Sequence, residues 1–432
     1  MRKFLFLSFV IAFLRCTDEP SKAPLTISSI SPSEGTKNTT VEITGTGFSS
    51  QASQNAVTFN GKAAVVTSST ETKLIVQVPS KAGTGIVSVS VDSQDVTGPS
   101  FEYHPFITVI TFAGGASGYA DGVGTNAKFT GPAGLTIDDT GNLYVADRSN
   151  HRIRKITPNA EVSTIAGTGV CGYQNGDKTQ AQFCVPTCAV LDKSGNIFVT
   201  DKSFNWIRKI TPSGNVSVFA GSGFNGWKDG QGTKADFNNP DGITIDAAGN
   251  LYVMDSQNSA VRKVAPDGIV TTFSGRPHNY NPAFMDGDAS TARFNLASGI
   301  EIDKDGNLFV ADRENNRIRK ITVAGNVSTI VGTGKFGNVD GPVDAAEFAL
   351  PAGIGLDGNG NIYVADERNH SIRMISADGH VSTLAGTGAP GDVDGEKSVA
   401  QFYYPLDVVV DKSGNLFVSD YFNHKIKKIV IE

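Results

Sequence analysis

The sequence predicts an all-β protein, and three observations support that prediction. Glycine contributes 48 of the 432 residues, about 11% against an average near 7%, without a collagen-like triplet, so the excess must serve turns. Short alternating apolar segments are separated by Gly-, Pro-, Ser- and Asn-rich stretches, as in β-sandwiches. The heptad GNLYVAD at 141–147 returns five times, at offsets of 54 or 57 residues. We therefore expect a small sandwich followed by a ring of repeated sheets.

Residues 1–16 are predicted to be a signal peptide that ends at a lipoprotein-type cysteine. A basic start precedes an apolar run at 4–14, which is shorter than the roughly 20 residues that span a bilayer. Cys16 resembles the lipid acceptor of bacterial lipoproteins, although Arg15 stands where that class has a small residue. This resemblance implies an exported protein at the outer membrane or cell surface. An ordinary cleaved signal peptide, giving a periplasmic or secreted protein, is the alternative.

The charge balance argues against a nucleic-acid partner. Removal of residues 1–15, which carry three basic side chains and no acidic one, moves the net charge from −6 to −9. Phosphate backbones require clustered Lys and Arg. We therefore expect no nucleic-acid partner, membrane contact only through the lipid anchor, and a monomer.

Residues 17–24 form a polar, proline-containing linker, and residues 25–104 follow the strand spacing of an immunoglobulin-like β-sandwich. The segments that characterise this module are ISSISPSEG (27–35), VEITGTGF (41–48), VTFNG (57–61) and VSVSV (87–91). They resemble the IPT/TIG family. That resemblance implies a spacer or a unit for protein contacts, not a centre of chemistry.

Residues 105–432 contain six repeats, each with four strand-like segments, which is the pattern of a propeller blade. The last repeat stops after its third strand. Residues 107–114 supply a matching fourth strand, so we expect this segment to close the ring and leave no open sheet edge. The marks P-x-G-[LI]-x-[IL]-D, G-N-[LI]-[YF]-V-x-D and N-x-x-[IV]-[RK]-[KM]-[IV] recur in the repeats. They resemble NHL repeats and imply a six-bladed propeller.

The cysteines fit this repeat framework. Cys188 replaces the glycine of the first mark in blade two, and Asp407 replaces it in blade six. We expect Cys188 to be a free buried thiol on an inner strand. Cys171 and Cys184 lie 13 residues apart in the loop that enters blade two, where an exported protein can form a disulfide.

Charged residues that recur once per blade are predicted to be structural. One set of aspartates should bind backbone donors between strands: Asp147, Asp201, Asp255, Asp312, Asp366 and Asp420. One basic set should lie on a solvated strand face and form cross-strand ion pairs: Arg154, Arg208, Arg262, Arg319, Arg373 and Lys427. Neither set is expected to be catalytic, since a ring needs a catalytic acid once or twice and not six times.

No cofactor is predicted, although calcium or zinc remains possible. His151, His370 and His424 share one repeat position, but Trp206, Ser259 and Asn316 occupy it in other blades. Recurrence of a residue through the repeat therefore explains the histidines better than a zinc site does. The D-x-D-G segments lack the further acidic ligand of a calcium loop. We assign no catalytic and no metal-ligating residues.

Residues that vary between blades are the candidates for function. Two loop sets should share one rim, and they carry the candidate ligand-binding residues Tyr119, Tyr173, Trp227, Phe284, Phe204, Trp206, Arg313, Arg368 and Tyr421. Exposed aromatic rings suit glycan or protein contacts. The alternative is that each ring folds back onto its own loop.

We therefore expect a non-enzymatic binding protein whose rim recognises a glycan or an extracellular or envelope protein. The alternative, by analogy of fold alone, is a metal-dependent lactonase-like hydrolase or lyase that uses the propeller channel. A purely architectural role in the envelope is a third possibility.

Overall fold

The computed structural model describes residues 23–276 and 284–432, and it confirms the all-β fold class. The chain divides into two compact units, one up to Phe106 together with Glu432, and one from Ile107 to Ile431. Within the described ranges no helix has the length and apolarity needed to cross a membrane. The predicted signal peptide, Cys16 and most of the linker lie outside the described residues.

The first unit is a β-sandwich built on period-two alternation. Along Thr40–Thr46, Val41 and Ile43 point into the core while their neighbours are partly or fully exposed. The edge-to-face pair of Phe59 and Phe101, with ring centroids 5.0 Å apart, lies in that core. Its strands are Thr26–Ser31, Glu34–Gly35, Thr40–Thr46, Ala56–Phe59, Lys62–Ser69, Lys73–Gln77, Gly85–Val91 and Gln94–Tyr103, with a short 3₁₀ helix at Ala52–Gln54.

Over the described residues, the second unit is a six-bladed propeller in which each blade is an antiparallel sheet. The strands of a blade are given in order from the inner strand, next to the propeller axis, to the outer one. Blade one comprises Pro132–Ile137, Leu143–Asp147, Arg152–Ile156 and Glu161–Ala166; blade two Pro186–Leu191, Ile197–Asp201, Trp206–Ile210 and Val216–Ala220; and blade three Pro240–Ile245, Leu251–Asp255, Ala260–Val264 and Ile269–Ser274. Blade four comprises Ile300–Ile302, Leu308–Asp312, Arg317–Ile321 and Val327–Val331; and blade five Pro351–Leu356, Ile362–Asp366, Ser371–Ile375 and His380–Ala385.

Blade six is assembled from both ends of the propeller. Its first three strands are Pro405–Val410, Leu416–Asp420 and Lys425–Ile431, and its fourth is Ile107–Gly114. The fourth strand pairs antiparallel with the third along its whole length, from Ile107 opposite Ile431 to Gly114 opposite Lys425. Two-residue edge strands at Gly122–Val123, Gly230–Gln231, Gly341–Pro342 and Gly395–Glu396 extend the outer edges of four blades.

Close approach of neighbouring inner strands explains the glycine of the first repeat mark. A Cβ at Gly242 would collide with the carbonyl oxygen of Ser298 in the next blade, and a Cβ at Gly299 with that of Ala352. Adjacent blades therefore pack backbone against backbone around the axis, and apolar side chains fill the space between sheets further out.

The basic residue of the third strand is buried, which corrects the expectation of a solvated strand face. In blade one Arg154 is fully buried beside the equally buried Asp147, with Nη1 2.7 Å from Oδ2. Its guanidinium also donates to the carbonyl oxygens of Lys128 and Ala120 and to Asp121. The ion pairs were predicted, but their burial was not. Three acceptors of the long loop and the second-strand aspartate together compensate the guanidinium for the loss of water.

The same arrangement recurs around the ring. Arg208, Arg262, Arg319 and Arg373 each bind the buried aspartate of the second strand, two loop carbonyls and a loop Asp or Asn. In blade six Lys427 donates to Asp394 and two loop carbonyls and lies 4.0 Å from Asp420. Each second-strand aspartate also accepts a backbone N–H, as Asp147 does from Thr130, so its predicted structural role is confirmed.

We predict that Arg373→Met lowers the free energy of unfolding by about 3–5 kcal/mol, because it leaves Asp366 buried without its partner. Arg373→Lys should cost less, since Lys427 fills the equivalent place in blade six. Urea unfolding followed by fluorescence measures both. The exposed control Lys304→Ala should change stability by less than about 0.5 kcal/mol, and an equally small effect of Arg373→Met would contradict the prediction.

Candidate functional site

The centre of the propeller holds a cavity of about 500 Å³ lined by residues of all six blades. Its walls are the inner strands. Its mouth lies at the end where each second strand finishes, since the side chains that follow the second strands, such as Arg148 and Arg313, belong to the lining. A cavity of this volume accommodates a small molecule or the end of a larger one.

Short 3₁₀ helices place charged side chains at the mouth. In five blades a single turn follows the second strand and ends at a residue in the left-handed conformation: Arg148–Asn150, Lys202–Phe204, Ser256–Asn258, Arg313–Asn315 and Glu367–Asn369. In four of these turns, all but that of blade two, an Asn bonds the second-strand aspartate, as Asn150 does to Asp147. Asn150 also donates to the carbonyl oxygen of Gly118 in the long loop, so the two loop sets lie together, as the sequence suggested.

The histidines of this region hold neighbouring blades together. Nδ1 of His370 accepts the backbone N–H of Tyr404 in the next blade at 3.2 Å, and Nδ1 of His424 accepts that of Gly131. Burial lowers the pKa of both imidazoles, which favours the neutral acceptor form. The blade-two counterpart is Asn205, not Trp206 as the repeat alignment had it, and its side-chain oxygen accepts the N–H of Asn239. These side chains are occupied by backbone donors and do not converge on a metal site.

The residues that donate these backbone N–H groups adopt the left-handed backbone conformation. The residue before the inner strand has a positive φ in every blade: Gly131, Val185, Asn239, Leu296, Leu350 and Tyr404. Such backbone is unfavourable for side chains other than Gly, Asn or Asp. Asn239, Leu296 and Tyr404 line the cavity. The same turn therefore presents a side chain to the cavity in blades three, four and six, and a different one in each of them.

Four carboxylates line the cavity: Glu367, which pairs with Arg313, and Asp241, Glu301 and Asp407 on the inner strands. Asp241 pairs with Lys202 at 2.8 Å. Glu301 accepts a hydrogen bond from Thr244 at 3.2 Å, and Asp407 accepts the backbone N–H of Leu135 at 2.7 Å. The Asp407 carboxylate occupies space that a side chain on Gly353 would fill.

The surroundings give the three inner-strand carboxylates different pKa values. Burial, reinforced by the charges of Glu301 and Asp241, raises the pKa of Asp407 to about 7. Burial also raises the pKa of Glu301. Burial opposes ionisation of Asp241 as well, but Lys202, Arg148 and Arg313 hold its pKa below the ordinary value. Near neutral pH the cavity therefore contains an ionised carboxylate and a second group that exchanges its proton.

The cysteines are partly as expected. Cys171 and Cys184 form a disulfide in the loop that enters blade two. Cys188 is free and lies on the inner strand, as expected. The residue as a whole is partly exposed and lines the cavity, whereas its sulfur is buried. Burial of its sulfur raises the pKa of this thiol.

The outer aromatic residues lie away from the cavity. Tyr119 stacks on Arg152 at 3.7 Å, and its hydroxyl is hydrogen-bonded to Thr164 on the outer strand. Trp227 donates from Nε1 to the Thr272 hydroxyl at 2.9 Å.

The other outer rings also contact their own blades. The ring of Phe284 lies 3.9 Å from the guanidinium of Arg317. In blade two, Tyr173 meets Phe204 edge to face, and Phe204 stacks on Trp206. These contacts match the alternative in which the rings fold back, although Tyr173 and Trp227 remain 69% and 50% exposed.

The predicted site residues thus fall into two groups. Arg313, Arg368 and Tyr421 line the cavity, whereas the six aromatics Tyr119, Tyr173, Trp227, Phe284, Phe204 and Trp206 are absent from its lining and lie along the outer parts of the blades. The sequence-based set omitted cavity residues that depart from the repeat: Arg148, Lys202, Asp241, Glu301, Tyr404, Asp407 and Phe422. Departures from the repeat at inner-strand positions are the sequence signal for these residues. Two such departures, Cys188 and Asp407, are identified in the sequence, but neither is assigned to a site.

The family comparisons agree with this architecture. The IPT/TIG domain model matches residues 25–104, and the NHL repeat model matches residues 129–156, 294–321, 348–373 and 402–429. The chain is an NHL-repeat propeller protein with an N-terminal IPT/TIG domain. The matched NHL segments fall in blades one, four, five and six.

Similar proteins include long relatives and solved structures of matching length. This NHL-repeat protein is 31% identical over 278 residues to Protein SUPPRESSOR OF QUENCHING 1, chloroplastic, of Arabidopsis thaliana, covering 60% of the chain and 26% of that protein. The chain therefore spans about a quarter of that relative.

Two crystal structures from Bacteroides thetaiotaomicron share the fold at 21% identity. One is a structural genomics protein of unknown function, with a TM-score of 0.65, which covers 96% of this chain and 99% of its own. The other is described as an auxiliary nutrient binding protein, with a TM-score of 0.59 and the same coverage.

We predict that Asp407→Asn gains stability relative to the wild type as the pH rises from about 4 to about 7. The pKa of Asp407 is raised from 3.8 to about 7, so the native state retains a proton that the unfolded chain loses in this window. Wild-type stability therefore falls across it. Urea unfolding at about pH 4.5 and about pH 8 measures the difference. The control Asp139→Asn removes an exposed carboxyl outside the cavity; a pH-independent difference for Asp407→Asn would contradict the prediction.

Proposed function

We propose that this is an exported, lipid-anchored, non-enzymatic binding protein whose propeller mouth takes up a glycan. The proposal of export is based on the predicted signal peptide at residues 1–16 and on Cys16. The IPT/TIG domain would serve as the spacer between the anchor and the propeller. Binding, and the choice of a glycan, rest on the cavity.

The observation that carries the proposal is the combination of aromatic rings and charged hydrogen-bonding groups in one cavity. Tyr404, Tyr421 and Phe422 line one side of it, and Asp241, Glu301 and Asp407 line the inner strands. A sugar ring offers an apolar C–H face to an aromatic ring, and its hydroxyls donate to carboxylates. A pocket made of both kinds of surface suits a carbohydrate better than a purely apolar molecule.

The fold comparison supports a binding role. A protein with the same architecture along nearly the full chain is described as an auxiliary nutrient binding protein. At 21% identity this supports the class of function and not the ligand. The alternative partner is an extracellular protein that binds the outer aromatic residues. The exposure of Tyr173 and Trp227 supports this alternative.

We expect Tyr404→Ala and Phe422→Ala to weaken glycan binding by about fivefold or more, because loss of an aromatic contact costs about 1–3 kcal/mol. The chain without residues 1–16 is applied to a glycan array, and each hit is quantified by calorimetry. Trp227→Ala is the matched control, since this exposed ring does not line the cavity. Loss of binding in Trp227→Ala alone would move the site to the outer aromatic residues.

The cavity also gives a specific reason to test the enzymatic alternative. A carboxyl with a pKa of about 7, as in Asp407, can donate or accept a proton near neutral pH. The inner-strand carboxylates Asp241, Glu301 and Asp407 do not form a preformed metal group, however. Among the described residues, the ligand atoms within 4.8 Å of one another belong to Glu34, Glu102 and His104 of the sandwich.

If the protein is a hydrolase or lyase, Asp407→Asn should reduce turnover of lactone or glycan substrates by about 10²–10⁴-fold. Asp139→Asn should leave turnover unchanged. Product formation by mass spectrometry, with elemental analysis of the purified protein, decides the matter. Stoichiometric zinc or calcium, or turnover that Asp407→Asn abolishes, would contradict the non-enzymatic proposal.

A further inference from the structure

We infer that the propeller mouth selects an acidic glycan, one that carries carboxylates on its sugar rings, through an arc of three aromatic side chains flanked by two arginines. This inference rests on the proposed glycan-binding function and narrows its ligand class. The arc consists of Arg148, Tyr421, Phe422, Tyr404 and Arg368, and all five residues line the cavity.

The arc runs continuously across blades one, six and five. The guanidinium carbon of Arg148 lies 5.9 Å from the Tyr421 ring, and that of Arg368 lies 4.7 Å from the Tyr404 ring. Between them, Phe422 meets Tyr421 and Tyr404 edge to face, with ring centroids 4.9 Å and 5.1 Å apart. An aromatic surface at the mouth is therefore flanked by one arginine at each end.

The local backbone holds this arc in place. Tyr404 occupies the left-handed position before the inner strand, and its N–H is bound by His370, whose ring lies 4.9 Å from the tyrosine ring. Tyr421 packs over Gly131, where an added Cβ would lie 2.7 Å from the tyrosine ring. Two of the aromatic residues are thus positioned before any ligand arrives, which reduces the entropy cost of binding.

The two arginines of the arc differ from the other cations at the mouth. Lys202 is paired with Asp241, and Arg313 forms a bidentate pair with Glu367. Arg148 forms no ion pair with any residue in the described parts of the chain. The carboxylate nearest to Arg368 is Glu367, at 4.0 Å, and it is already held by Arg313.

Positive charge is therefore available at the two ends of the aromatic surface and is neutralised elsewhere at the mouth. Arginine binds carboxylates through parallel hydrogen bonds, which a neutral hydroxyl cannot reproduce. A ligand whose rings lie on Tyr421, Phe422 and Tyr404 would bring ring carboxylates to Arg148 and Arg368. An acidic peptide also carries carboxylates, but it lacks the repeated C–H faces that three adjacent aromatic rings accommodate.

The test compares ligands that differ only in charge. Calorimetry measures binding of trigalacturonate and trimannuronate to the chain without residues 1–16, each against its fully methyl-esterified form, and of hexaglutamate as the peptide probe. We expect at least one acidic trimer to bind tenfold or more tightly than its ester. Arg148→Gln and Arg368→Gln should each remove most of that difference and leave ester binding within about twofold.

The control Lys304→Gln removes a positive charge from an exposed turn outside the cavity lining and should retain the preference for acid. Equal affinity for acid and ester would overturn this inference and leave the proposed function standing. Binding of hexaglutamate alone, with loss in the Arg148 variant, would overturn it in favour of an acidic peptide. No binding by any of these probes, with glycan-array hits confined to neutral sugars, would also overturn it, whereas an array without hits would overturn the proposed function.

Discussion

The propeller depends on one buried cation in the third strand of each blade. This side chain neutralises the buried aspartate of the second strand and holds the long loop that leads into its own blade by two carbonyl oxygens and a loop Asp or Asn, as Arg262 does. The buried phenylalanine of that loop packs against the same guanidinium. A loop that would otherwise be free is thus fixed to the sheet, and a mouth of defined shape results.

A second constraint joins the blades. The left-handed residue before each inner strand offers its N–H to the preceding blade, where a His or Asn side chain accepts it in five of the six junctions across the described residues. This hydrogen bond compensates for backbone that is unfavourable for Val185, Leu350 and Tyr404. Since the backbone satisfies the hydrogen bond, the side chain is free to differ between blades.

Repetition made the fold predictable and the site only partly so. The sequence period predicted the blades, the closing strand and the structural aspartates, because the residues involved have the same structural role in all six blades. It could not show that Arg154 is buried, since a charged side chain in a strand is usually solvated. Nor could it show that Trp227 turns outward while Tyr421 turns to the cavity. Asp241, Glu301 and Asp407 are visible in the sequence only as departures from the inner-strand pattern, and their proximity requires the closed ring.

The shared sixth blade has a consequence for biosynthesis. Its outer strand, Ile107–Gly114, is the first part of the propeller to be synthesised, and its partner, Lys425–Ile431, is the last. Tyr404, Tyr421 and Phe422 also lie in the C-terminal part of blade six. A chain without its C-terminal strands therefore lacks both ring closure and three aromatic residues of the cavity lining, so completion of the ring also completes the cavity.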